Sequence, residues 1–381
     1  MQGHNNSLLF ECKENLRQAL ANVNKAPMTD SRRNQLSLWT KGVLSRLLPK
    51  GQDAIALEMV SGDASFRRYF RVRAGNDSFV AVDAPPENED GRTFEDISNL
   101  FRQAGVVVPK IYSADHERGF MLLSDLGDML YHDVLREAQQ FDQIEVADSL
   151  YQRAISSLLA FQASIDKGTL DPYNKYELRK EMELFEEWFC GEFLSLPLNQ
   201  DIRDLIDETF GFLEDAALGQ PEVAVHRDYH SRNLMVLDPA IFGEEAGPGI
   251  IDFQDAVFGA YTYDLVSLLR DCYLNWSPEQ VHKWASGYLE QANERGIVHD
   301  VDQQQFFRDF DLMGLQRHLK VMGIFARLNI RDNKPCYLAD IPQVIRYFLE
   351  VSQRYREISP FVDWFNKDLL PVARTKLNLD Y

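Results

Sequence analysis

The chain has 381 residues, 45% hydrophobic and 26% charged, enough to bury a substantial core in one bilobal unit or two closely joined domains. Its net charge of −19 argues against a nucleic-acid partner, which needs a basic surface, but allows nucleotide binding where local cations invert the field. No segment approaches the ~20 uninterrupted apolar residues of a membrane span. The polar N-terminus lacks signal-peptide character and the four cysteines form no C-x-x-C pair, so a reduced, cytoplasmic location is expected.

Residues 1–34 read as an N-terminal extension, with Leu8, Leu9, Cys12, Leu16, Leu20 and Val23 able to share one helix face. A second helical pattern opens at Asp30-Ser31-Arg32-Arg33 and carries Leu36, Trp39, Val43, Leu44 and Leu47 before stopping near Pro49. A β-rich block follows: a strand over 57–60, a turn over 61–65, a returning strand over 66–73 and a third over 78–82. In the returning strand, Phe66, Phe70 and Val72 share one face and Arg67, Tyr69 and Arg71 the other. A helix starts at Thr93, with Phe94, Ile97 and Phe101 on its apolar positions; Gly105 to Ile111 then leads into another strand, and a last one is expected over 119–123. Ser124-Asp125-Leu126-Gly127 reads as a linker, giving a division into an N-lobe over 35–123, a hinge over 124–130 and a C-lobe over 131–381. Beyond the hinge the pattern is helical, interrupted by short strands and loops over 223–260. The expected class is α+β: a small β-rich lobe and a large, mainly helical one.

Two runs in the interruption carry chemistry. His226-Arg227-Asp228-Tyr229-His230-Ser231-Arg232-Asn233 has the H-x-D-x-x-x-x-N spacing of a kinase catalytic loop, in which the aspartate accepts the substrate hydroxyl's proton and the asparagine holds magnesium. Gly249-Ile250-Ile251 then leads into Asp252, where kinases place a second metal ligand. Asp228 is therefore the expected catalytic carboxylate, and Asn233 and Asp252 are the expected Mg2+ ligands, oxygen donors suited to a hard cation. His226 is expected to brace the loop and Asp264 to hold it. His230 faces substrate or packs as an ordinary histidine.

With these motifs in order, the chain resembles the aminoglycoside phosphotransferase and choline kinase branch of the protein-kinase-like fold. Within that branch it is similar to bacterial cell-wall sugar kinases that phosphorylate N-acetylmuramate and N-acetylglucosamine at the anomeric hydroxyl. The segments that carry this are Ser61 to Tyr69, Asp83-Ala84-Pro85-Pro86-Glu87, His226 to Met235, and Leu315-Gln316-Arg317-His318-Leu319-Lys320. The resemblance implies a bilobal fold with ATP between the lobes, and a role in recovering peptidoglycan amino sugars. A nucleotidyltransferase would be the next enzyme, linked by metabolite, with no stable protein partner. The adenine would meet backbone groups of Ser124, Asp125 and Leu126, with Met121 and Leu123 lining its pocket. Arg317 and His318, a cationic pair, would bind a sugar carboxylate or N-acetyl carbonyl, unless a salt bridge occupies them.

One departure stands out. The usual phosphate-binding lysine of the third strand is absent, because Val80-Ala81-Val82 runs into Asp83, and Glu95 on the next helix would lack its partner. Arg67, Arg68 or Arg71 would have to supply the charge, unless they form a solvated strand face. Only eleven residues separate Asp252 from Asp264, too few for a peptide-presenting activation segment, so a small acceptor is expected. The alternatives are an aminoglycoside or other small-molecule kinase, which the acidic charge would suit, and a nucleotide-binding pseudokinase.

Overall fold

The computed structural model describes residues 31–48, 55–61 and 66–378; the expected helix face over 8–23 and positions 62–65 of the expected turn lie outside them. In chain order the elements are α1 (Ser31–Leu47), β1 (Glu58–Ser61), β2 (Arg68–Ala74), β3 (Asp77–Asp83), α2 (Gly91–Gln103), β4 (Ile111–Asp115) and β5 (Phe120–Ser124). Then come α3 (Tyr131–Gln140), α4 (Ile144–Ser164), α5 (Lys175–Leu184) with a π-helical continuation Phe185–Phe193, α6 (Gln200–Leu218), β6 (Glu222–Val225), β7 (Leu234–Met235), the short α7 (Pro239–Phe242), β8 (Gly249–Ile250) and β9 (Val257–Ala260). The chain finishes with α8 (Tyr263–Leu269), α9 (Pro278–Glu294), α10 (Gln303–Ile330), α11 (Ile341–Ser352), α12 (Ser359–Trp364) and α13 (Leu370–Leu377).

Two compact units result. The first holds the described chain up to Tyr131 together with Arg232–Asp255. The second holds His132–Ser231 and the chain from Ala256 on. A linear division at the hinge does not anticipate that Arg232–Asp255 pack with the sheet.

In the first unit an antiparallel five-stranded sheet has the order β1-β2-β3-β5-β4. Its alternation buries Phe70, Val72, Phe79, Ala81, Phe120 and Leu122 against Leu36, Val43 and Leu44 of α1. β2 starts at Arg68, which pairs with Asp83 of β3, rather than at Phe66, which is 65% exposed; a bulge in β1 pairs Ser61 with Tyr69. Helix α2 starts at Gly91 rather than Thr93, because the Asp90 carboxylate caps it, accepting the backbone N–H groups of Arg92 at 2.9 Å and Thr93 at 3.3 Å. As expected, the stretch from Gly105 leads into a strand, β4 at Ile111–Asp115. Val107 makes only an isolated bridge to Gly249. β7 and β8 pair antiparallel across the short α7.

The second unit is built around α10. Leu312, Leu315, Leu319, Met322 and Phe325 of this helix join Met182, Phe185, Phe210, Ile345, Phe348 and Phe361 in one core. Gly323 lets α10 come close to the start of the π-helical segment: a Cβ there would collide with the Leu184 carbonyl and lie 2.5 Å from the Phe185 nitrogen. Gly323→Ala should therefore lower stability by about 1–3 kcal/mol, although alanine is the better helix former by ~1 kcal/mol. A denaturation midpoint equal to or above wild type would rule out that close approach.

Candidate active site

The loop after β6 is held from beneath by one carboxylate. Asp264, wholly buried at the start of α8, accepts the backbone N–H of His226 at 2.6 Å and of Arg227 at 3.0 Å. These bonds support a turn in which Arg227 takes a left-handed conformation with φ of 76°, uncommon for a residue with a Cβ. The buried His226 ring accepts the Asp228 N–H on Nδ1 at 3.2 Å, so it braces the loop. Tyr229 points inward and donates its hydroxyl to the Ala154 carbonyl at 2.9 Å. The loop's far end is tied by Asp271, which accepts the Ser231 N–H at 3.0 Å.

This scaffold leaves Asp228 half-buried at the centre of a cationic neighbourhood. Burial alone would raise its pKa, but Lys320, His230, Arg317 and His226 outweigh it and hold the carboxyl at about 2. Lys320 is itself buried, with its ammonium bonded at 2.9 Å to both a Glu181 carboxylate oxygen and the Tyr263 hydroxyl. Glu181 also takes the Arg227 guanidinium and the Tyr173 hydroxyl. Its burial works against ionisation, yet Lys320 and Arg227 keep its pKa below the ordinary value.

In the sheet unit, Asn233 immediately precedes β7, and Asp252 follows β8 in a left-handed conformation with φ of 64°. The Asn233 side-chain amide lies 3.5 Å from the Asp252 carboxylate, and Gln254 donates to the same carboxylate at 2.8 Å. Phe253 anchors this turn, buried against Phe94 and Phe101 of α2 at centroid distances of 4.8 and 6.0 Å. One carboxylate and one amide oxygen suit a hard cation that completes its shell with phosphate and water. Among the described residues no group of three or more His, Cys, Asp or Glu side chains forms a closed metal cage.

The three hairpin arginines do not form a solvated face. Arg67 is buried, pairs with Glu89 at 2.9 Å and lies over the Phe94 ring. Arg68 donates through Nε to Asp83 at 3.0 Å, and Arg32 donates to the same buried carboxylate at 2.9 Å. Arg71 bonds Asp125 at 2.6 Å and Asp128 at 2.5 Å, so Arg71 and Asp125 brace the linker together. Arg67 and Asp252 each act on the Tyr69 hydroxyl, whose pKa rises to about 12 mainly through burial. Ser124 is bonded to Lys110 through backbone and hydroxyl. Met121, Leu123 and Leu126 are buried, and Leu126 clusters with Met235 and Leu237. Glu95 has a partner after all, bonding His116 at 2.8 Å.

Residues 56–298 match the family described as Phosphotransferase enzyme family. The chain belongs to that family. The phosphotransferase is 42% identical over 337 residues to the N-acetylmuramate/N-acetylglucosamine kinase of Pseudomonas putida, covering 87% of this chain and 95% of that protein. It is 40% identical to the enzyme of the same name from Pseudomonas aeruginosa, with the same coverage. Among solved structures, the Plasmodium vivax ethanolamine kinase superposes with a TM-score of 0.58 at 15% identity, covering 88% of this chain and 94% of that one, which shows the kinase-like fold.

On α10 of the phosphotransferase, Arg317 and His318 part company, because successive helix residues point about 100° apart. Arg317 lies over the Tyr263 ring, 5% exposed, with Asp228 in its surroundings, and among the described residues no carboxylate forms an ion pair with it. His318, 2% exposed, stacks on Tyr347 at 5.5 Å, and burial with Arg270 and Arg317 nearby pushes its pKa well below the ordinary value. The two do not form a cationic pair: one is a guanidinium, the other a neutral imidazole. His230 packs edge-on against Tyr273 at 5.4 Å, on the same loop as Asp228. Sequence reading missed Glu181, Lys320, Tyr173 and Tyr263 as parts of this site. The signal available was a charged residue inside an apolar stripe: Glu181 between Leu178 and Met182, and Lys320 between Leu319 and Met322.

Proposed function

We propose that this phosphotransferase transfers the γ-phosphoryl group of ATP to the anomeric hydroxyl of N-acetylmuramate and N-acetylglucosamine, in cytoplasmic recovery of cell-wall sugars. The observation that carries the substrate is the 42% and 40% identity to two kinases of that name over 95% of their length. Asp228 would orient the acceptor hydroxyl. With a pKa of about 2 it is a weak base that takes the proton late, as the new oxygen–phosphorus bond forms. Asn233 and Asp252 would hold magnesium, which neutralises phosphate charge when bound. One of the hairpin arginines Arg67, Arg68 and Arg71 would add positive charge, and Arg67 is the one that acts on Tyr69 together with Asp252. Met121, Leu123 and the Ser124–Leu126 linker would receive the adenine. His230 and Arg317 would contact the sugar, while His318, buried against Tyr347, would support the helix that carries Arg317.

The cations around Asp228 disfavour a polycationic aminoglycoside acceptor despite the chain's acidic balance. A sugar 1-phosphate product is a natural substrate for nucleotidyl transfer, and a link by metabolite needs no stable complex. ATP turnover with N-acetylmuramate, N-acetylglucosamine, an aminoglycoside and choline tests the reading. Turnover is expected with the first two, and activity confined to the last two would sink it. In the same panel Arg317→Ala should weaken kcat/KM for N-acetylmuramate by about 10-fold more than for N-acetylglucosamine if the guanidinium meets the lactyl carboxylate. Equal losses would remove that role.

A further inference from the structure

We propose that Lys320 is a positioning residue for phosphoryl transfer, holding the loop that carries Asp228 through a buried Arg227–Glu181–Lys320–Tyr263 chain. The inference rests on Asp228 as the catalytic carboxylate but not on the identity of the acceptor.

Lys320 sits in the apolar stripe of α10, 6% exposed, where an ammonium without partners would cost several kcal/mol. Its two bonds, to Glu181 and to Tyr263, are both 2.9 Å long. Tyr263 precedes Asp264, the carboxylate that receives the His226 and Arg227 amides, so one bond reaches the root of the loop. The other bond reaches Glu181, which in turn grips the Arg227 side chain. Arg227 is held at both ends in this way, by its backbone through Asp264 and by its guanidinium through Glu181. Such a double hold is what a left-handed residue beside the reacting carboxylate requires. The Tyr173 and Tyr263 rings pack edge-on at 5.2 Å and close the network from the side. Among the cations around Asp228, Lys320 acts on it most strongly. Lys320 thus orders the loop mechanically and keeps a positive charge beside the acceptor oxygen's proton acceptor.

A structural role and a positioning role separate experimentally. Lys320→Met keeps the length and packs among Leu319 and Met322, while Glu181 retains Arg227 and Tyr173, so the fold should persist. Removing one partner of a buried ion pair is strongly destabilising when it strands the other charge, but here Arg227 still neutralises Glu181, so the cost should be much smaller. Turnover is measured with whichever acceptor the wild type uses fastest, so failure of the amino-sugar reading leaves the test intact. The expected result is a fall in kcat of about 30- to 100-fold, with KM for ATP within about threefold and a melting temperature near wild type. Lys320→Arg, which keeps the charge, should recover about 10-fold of that loss. Should Lys320→Met fail to fold, Lys320→Arg and Glu181→Gln decide: kcat within about threefold of wild type in both overturns the proposal. So does a folded Lys320→Met with near-wild-type kcat, or one whose loss Lys320→Arg does not relieve.

Discussion

Asp228→Asn is expected to lower kcat by about 10³-fold while ATP affinity stays within about threefold. The amide is the same size and can still hydrogen-bond the acceptor, but it cannot take its proton. It also presents an NH2 group to a neighbourhood already containing Lys320 and Arg317. The same substitution has a pH signature. The folded pKa, about 2, lies below the ordinary 3.8, so the charged carboxylate stabilises the fold above pH 3.8 and loses that contribution as pH falls through about 2. That difference is worth about 2 kcal/mol at neutral pH. Asp228→Asn should be the less stable protein at pH 7, with the gap closing below about pH 4. Steady-state kinetics, nucleotide titration and denaturation at two pH values read all three effects. Undiminished turnover would reject Asp228 as the catalytic carboxylate.

Asp264→Ala should be as damaging by another route. It strands two buried backbone N–H groups at His226 and Arg227, each costing about 1–3 kcal/mol, so a loss of about 2–6 kcal/mol is expected. With its anchor gone the loop no longer aims Asp228, and turnover should fall by about 10²-fold or more. A stable variant with normal kinetics would remove Asp264 from the loop's support. Burial, with Asp228 adding to it, raises the Asp264 pKa to about 7 against the pull of the two amides and Arg317. A raised folded value means that this contribution is fully present below pH 3.8 and lost as pH rises through about 7. Wild type should therefore lose stability progressively between about pH 4 and 7 relative to Asp264→Asn, whose amide does not titrate, with little further change above that.

Much of this was legible in the chain. The sheet unit's strands followed from alternation, and the helices of the second unit from their period. The motif His226–Asn233 with Asp252 identified phosphoryl transfer, since few reactions need that spacing of carboxylate and amide. Strand limits slipped where a cap or bulge intervened, as at Asp90 and in β1. Those features depend on one hydrogen bond or one extra residue, which periodicity does not register.

The charged groups divide along the same line. Residue type and spacing along the chain made Asp228, Asn233 and Asp252 the expected site residues, because phosphoryl transfer calls for those atoms in that order. Which cation meets which carboxylate was settled by folding: Arg68 goes to Asp83, Arg71 to Asp125, and Glu181 to both Arg227 and Lys320. Arg317 and His318 are neighbours in the chain, yet the helix turns one toward Tyr263 and the other toward Tyr347. The physical reason is distance. A charge interaction decays over a few ångströms, and Glu181 and Lys320, 139 residues apart, come within 2.9 Å only when α5 and α10 pack.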